Sequence, residues 1–185
     1  MRKGGLIAFP TDSAYALGGI TGDNALLARI RRIRGVDERH HFTLICRDLS
    51  DIATYARVDN SQYRLLKATT PGPYTFILEG TKELPRRLLH PKRKTIGLRV
   101  PEHAVVLVLL AELEGPLLTS TLLLPGEELP LTDPEEIRER MEKLVDLVIE
   151  AGPCGAQATT VIDLSSGTPQ LVREGRGALA PFGLG

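Results

Sequence analysis

The chain has 185 residues, enough for one domain spanning 1–185 with a substantial core. Its 23 lysines and arginines balance 23 aspartates and glutamates, so bulk charge announces neither a nucleic-acid nor a membrane partner. Two separated cysteines, Cys46 and Cys154, argue against a disulfide scaffold and a cysteine-rich zinc site, and suit a reducing cytoplasm.

Met1-Arg2-Lys3-Gly4-Gly5 leads into only a few apolar residues, so no secretory signal is expected. Residues 6–9 read as a buried strand stopped at Pro10. The loop Thr11-Asp12-Ser13-Ala14-Tyr15 places hydroxyls and a carboxylate just past the strand end, where open α/β sheets tend to bind ligands. As simple turn formers, Asp12 and Ser13 would need no further role. Asp23 is a suitable N-cap for a helix over 24–34, with Leu26, Leu27, Ile30 and Ile33 as its buried stripe and Gly35 as its stop. The end of this helix carries Arg29, Arg31, Arg32 and Arg34, and Arg39, His40 and His41 follow. Such a run is either a solvated face that complements the helix dipole or a seat for phosphates or another anion.

Residues 42–46 read as a strand, followed by helices over 49–55 and 61–68. Thr70-Pro71-Gly72-Pro73 is a rigid turn into a strand over 74–78. A second basic stretch, Arg86, Arg87, Lys92, Arg93 and Lys94, precedes a strand over 95–100. Pro101 and Glu102 open a helix to about residue 113 whose apolar composition predicts deep burial. The apolar run 104–111 is too short to span a bilayer, so no membrane association is expected. Residues 116–121 read as a strand ending in hydroxyls, and Asp133-Pro134-Glu135-Glu136 starts a helix. Strands over 144–149, 159–164 and 169–173 close the chain. Strands and helices intermix without strict alternation, which predicts an α/β domain with a twisted, mixed sheet and flanking helices.

There is no P-loop, no dinucleotide fingerprint and no nucleophile elbow. His40 and His41 would point apart in an extended loop, and His90 and His103 lack partners at ligand spacing, so no metal site is expected. What remains is a set of strand-end hydroxyls (Thr11, Ser13, Thr119, Ser120, Thr121, Thr159, Thr160) with Arg32, Arg34, Arg99 and Arg173. That set suits polyanion binding, or nucleotidyl or phosphoryl transfer run by positioning and charge stabilisation.

Residues 10–18, PTDSAYALG, resemble the PTDTxYGLG signature of the YrdC-like proteins, the threonylcarbamoyl-AMP synthase family. Arg32-Ile33-Arg34 falls at that family's Lys-x-Arg, Pro71-Gly72-Pro73-Tyr74-Thr75 resembles its PGPxT, and Thr95-Ile96-Gly97-Leu98-Arg99-Val100-Pro101 its TxxxRxP. Thr159-Thr160-Val161-Ile162-Asp163 and Leu171-Val172-Arg173-Glu174-Gly175 resemble its STVVD and LREG. The resemblance implies a twisted α/β sheet around a large, basic, concave cavity. It implies a reaction in which L-threonine, bicarbonate and ATP, with Mg²⁺ on the nucleotide, give threonylcarbamoyl-AMP and pyrophosphate for the t6A modification of tRNA. Carried over position by position, it makes Arg32 and Arg34 the catalytic pair. Thr11, Tyr15, Arg99, Thr121, Thr159 and Arg173 become the substrate and nucleotide contacts, with no resident metal ligand.

Two departures stand out. The family's lysine is Arg32, a planar fork in place of a movable point charge. Its Ser-x-Asn becomes Thr121-Leu122-Leu123, which keeps a hydroxyl and loses an amide. With residues 34–44, these features look like the YciO branch. The chain also starts almost at the first strand, where the family usually has a preceding helix. Two readings stay open: an enzyme forming threonylcarbamoyl-AMP or a related adenylate, and a non-catalytic paralogue that binds tRNA, double-stranded RNA or a nucleotide.

Overall fold

Alternation along the strands decides what the molecule buries and what it leaves open. The computed structural model describes residues 4–185; Met1, Arg2 and Lys3, on which the reading of no secretory signal partly rests, lie outside the described residues. In chain order the elements are β1 (Ile7–Phe9), β2 (Ala16–Ile20), α1 (Asn24–Arg34), β3 (Thr43–Ile45), α2 (Leu49–Tyr55), α3 (Asn60–Thr69) and β4 (Tyr74–Glu79). They continue as β5 (Thr95–Arg99), α4 (Ala104–Leu113), β6 (Leu117–Thr121), α5 (Pro134–Met141), β7 (Leu147–Val148), β8 (Thr160–Asp163) and β9 (Gln170–Arg173). The nine strands form one mixed sheet in the order β7-β1-β2-β6-β3-β5-β4-β8-β9. The β1–β7, β3–β5 and β4–β8 pairs are parallel and the other neighbours antiparallel.

One face of the sheet packs Leu17, Leu44, Phe76, Leu98, Leu118 and Ile162 beneath α1, α2, α3 and α5. The residues between them point to the opposite face, as the two-residue period of a strand requires. There Ile7, Phe9, Ala16, Ile45 and Leu117 lie under Val106 and Leu110 of α4. Further along that same face the side chains become Thr43, Thr75, Thr95, Gly97 and Thr119, tied to one another by the register Thr43↔Gly97, Thr43↔Thr119 and Ile77↔Gly97. The sheet is thus covered by helices on one side and only partly by α4 on the other, and its uncovered part is polar.

Caps hold the helices as their sequences require. Asp23 accepts from the Ala25 amide at 2.8 Å, and Gly35 ends α1 in the left-handed region at φ 63. Asp59 and Gln62 form a reciprocal capping box on α3.

One strand is additional to those expected, and two expectations need correction. Ala16–Ile20 is a strand that its two glycines concealed; a Cβ on Gly19 would come within 2.5 Å of the Gly5 carbonyl oxygen, so close strand packing selects glycine there. The apolar helix α4 is not deeply buried: Val106 and Leu110 meet the sheet, while Leu107 and Val108 are 49% and 61% exposed, because no second layer lies outside the helix. The strand expected over 144–149 shrinks to Leu147–Val148. Among the described residues no helix is long and apolar enough to cross a membrane.

Candidate functional site

The polar part of the second face is the floor of a cavity of about 900 Å³. Thr43, Thr75, Thr95, Thr119 and Gly97 lie in that floor, and the loop after β1, the end of α1, the segment after β6 and β9 supply its walls. Of the eight site residues read from the sequence, Thr11, Tyr15, Arg34, Arg99, Thr121, Thr159 and Arg173 line this cavity. Arg32 does not: it is exposed on α1. Helix geometry gives the reason, since residues two apart point about 200° apart around the axis, so Arg32 and Arg34 cannot share a face within one helix.

Thr11 shapes its own loop. Its hydroxyl donates to the Ala14 carbonyl at 2.6 Å and accepts from the Ser13 and Ala14 amides at 3.2 Å. Tyr15 is buried and donates to the Gly152 carbonyl at 2.9 Å. The turn leaves Asp12 free to reach across the sheet, where its carboxylate pairs with the buried guanidinium of Arg99 and accepts from the Glu102 amide at 3.0 Å. Arg99 also donates to Ser13 Oγ at 3.2 Å, and its Nε has no partner. Desolvation pulls the Arg99 pKa down, and Asp12 works against it.

Arg34 is held by the chain opposite. Its Nε donates to the Leu123 carbonyl at 3.0 Å and its Nη1 to Ser120 Oγ at 2.7 Å. The residue that replaces the resembled family's asparagine therefore fixes Arg34 through its backbone, while its side chain lines the cavity with Leu129 and Pro130. Across the floor, Arg173 donates to the Thr159 carbonyl at 3.0 Å, and the Thr159 and Thr75 hydroxyls are 2.8 Å apart. Thr121 ends β6 at the cavity wall. Burial lowers the pKa of Arg34 and of Arg173 alike.

Charge in the cavity is more local than a basic pocket implies. Arg99 pairs with Asp12 and Arg93 with Asp163. Among the described residues no carboxylate forms an ion pair with Arg34 or Arg173, so these two supply the open positive charge. Among the described residues Glu128 is the one carboxylate in the lining, and no cluster of three metal-ligating side chains is present.

The histidine pair splits as an extended loop demands. His40 turns to Ser120, 2.8 Å from its Oγ, whereas His41 stacks on His90 with centroids 5.3 Å apart, and all three rings line the cavity. Testing histidines for metal spacing alone passed over His40 as an organic-ligand contact. Its place three residues before the Thr43–Ile45 strand, after a basic helix end, was the available signal.

A mixed α/β sheet with a hydroxyl-floored, arginine-walled cavity defines the class, and the comparisons agree. The chain belongs to the Sua5/YciO/YrdC family, whose model, described as telomere recombination, matches residues 1–175. It is 56% identical over 182 residues to the Escherichia coli protein YciO, covering 98% of this chain and 88% of that one. The crystal structure of E. coli YciO superposes with a TM-score of 0.93. The mouse threonylcarbamoyl-AMP synthase is 31% identical over 172 residues, covering 89% of this chain and 60% of the synthase. P. abyssi Sua5, solved in complex with L-threonine, is 26% identical with a TM-score of 0.85, over 94% of this chain and 51% of that one.

Proposed function

We propose that the protein forms threonylcarbamoyl-AMP, or a close carbamoyl-adenylate, from L-threonine, bicarbonate and ATP, releasing pyrophosphate and the water lost as the amine and bicarbonate form the carbamate. The observation that carries this reading is the convergence of Arg34, Arg99 and Arg173, from three distant parts of the chain, on one cavity with a floor of hydroxyls. The chemistry needs little more. The carbamate oxygen of the amino acid attacks the α-phosphate and pyrophosphate leaves, so the protein supplies no nucleophile. Its task is to hold the two reactants in line and to stabilise the charge that gathers on the leaving phosphates.

Arg34 and Arg173 serve the phosphates, and Arg99, neutralised by Asp12, serves as a rigid wall and hydrogen-bond donor. Thr11, Tyr15, Thr121 and Thr159 shape the seat around the small substrates. Arg32 takes no direct part in this arrangement. Magnesium enters on the nucleotide as part of the substrate; with Glu128 as the only lining carboxylate among the described residues, the phosphates are its natural ligands. The product would feed t6A formation on tRNA. A non-catalytic RNA-binding role gains no comparable support, because the open arginines turn into a walled cavity and do not form a convex basic surface.

Pyrophosphate release, with threonine, bicarbonate and ATP each omitted in turn, tests the reading. Release that requires all three is expected. Release indifferent to bicarbonate would move the protein to ordinary amino-acid adenylation.

A further inference from the structure

Arg34, His40 and Ser120 form one contiguous cluster in the cavity wall. Arg34 Nη1 donates to Ser120 Oγ at 2.7 Å, and the same oxygen lies 2.8 Å from His40 Nε2. A guanidinium can only donate, and Arg34 Nη1 also lies 3.5 Å from His40 Nε2, which sets that nitrogen as an acceptor; Ser120 accordingly accepts from Arg34 and donates to His40. Nε2 is then the bare nitrogen of a neutral imidazole. The surroundings enforce that state: desolvation first, then Arg34, His41 and Arg31 disfavour a charged ring, Asp37 alone favours one, and the pKa falls to about 4. The other neighbours are uncharged: Ser120 on β6, and Phe42, whose ring meets His40 edge-on at 5.3 Å.

We propose that His40 is a second, ligand-gated cation of the polyphosphate subsite, neutral in the free protein and protonated from solvent when a polyphosphate seats against Arg34 and Ser120. The inference rests on the ATP reading above. A bound polyanion reverses the local field: it offsets the Arg34 charge that holds the ring neutral and so favours the imidazolium. Once protonated, Nε2 becomes a donor to Ser120, and the serine hydroxyl swings its proton toward the ligand. At this wall the anion then meets two charges and a hydroxyl donor where it first met Arg34 alone, with Arg173 unchanged across the floor. Protonation and binding are reciprocal, so a rise of about one pKa unit means that the protonated form holds the anion about tenfold more tightly.

Inorganic pyrophosphate is the probe and imidazole NMR the readout, because the chain has only 4 histidines and His40→Gln assigns one of them. At saturating pyrophosphate the His40 midpoint is expected to rise by about one pH unit or more. Calorimetry in two buffers of different ionisation enthalpy is expected to show proton uptake that His40→Gln lowers. Pyrophosphate that binds with the His40 midpoint unmoved overturns the inference and leaves the ATP reading standing. Failure of the unaltered protein to bind pyrophosphate overturns both.

Discussion

Arg34 and Arg32 sit two residues apart and do opposite things. Arg34 is tied to Leu123 and Ser120 inside the cavity, and Arg32 is exposed to solvent. Arg34→Ala is expected to weaken ATP binding by about tenfold or more, and Arg32→Ala by less than about twofold, since an exposed charge is largely screened. Titration of ATP against both variants checks this, with thermal melts alongside; equal losses would mean that the helix end rearranges when ligand binds. Arg34→Ala also removes the hydrogen bonds to Leu123 and Ser120, each of about 1 kcal/mol, so a drop of a few degrees in Tm is expected. The Asp12–Arg99 pair makes the converse prediction. Both side chains are close to 10% exposed, at 11% and 9%, so removing one partner leaves a buried charge uncompensated. Asp12→Ala is expected to cost about 3 kcal/mol in urea unfolding, and Asp12→Asn, which keeps an acceptor oxygen, less. A loss below about 0.5 kcal/mol for Asp12→Ala would show that solvent in the cavity screens the pair. Residue chemistry was legible in the sequence as a set of types: hydroxyls and arginines with no nucleophile. Pairing was not, because Asp12 and Arg99 meet only through the sheet.

Elements with one strong local signal were readable. Asp23 before α1, Gly35 after it, and Asp133-Pro134 before α5 all mark true helix ends. Elements whose state depends on a neighbour were not. β2 is held by partners on both sides, β1 and β6, and its glycines are selected by close approach, which lowers the very propensity that reveals a strand. Helix α4 errs the other way: hydrophobic all round, it reads as buried, yet Ala104, Leu107, Val108 and Ala111 form an exposed stripe at i, i+3, i+4 and i+7. Leu110→Ala is therefore expected to cost about 2–5 kcal/mol. Leu107→Ser, on the exposed stripe, is expected to change stability by about 0.5 kcal/mol or less. Chemical denaturation of the two variants distinguishes the faces, and equal losses would show that Leu107 is covered in solution.

For the whole molecule, a net charge of zero hides a segregated distribution. Acidic residues between 127 and 150 are partly spent in surface pairs, among them Arg140 with Glu127 and Glu136, and Arg138 with Glu150. The open positive charge lies along the cavity, Arg34 in its wall and Arg173 at its rim on the exposed edge strand β9, so anion affinity comes from these two at close range. The strand order brings residues 11, 34, 99, 121, 159 and 173 around one floor. No local pattern encodes that assembly; the family motifs pointed to it because they mark the same strand ends. The most direct measurement is mass spectrometry of the adenylate formed from ATP, L-threonine and ¹³C-bicarbonate. The account predicts threonylcarbamoyl-AMP carrying the heavy carbon, with its formation strongly reduced in Arg34→Ala. An adenylate without the label, or equal product from Arg34→Ala, would contradict it.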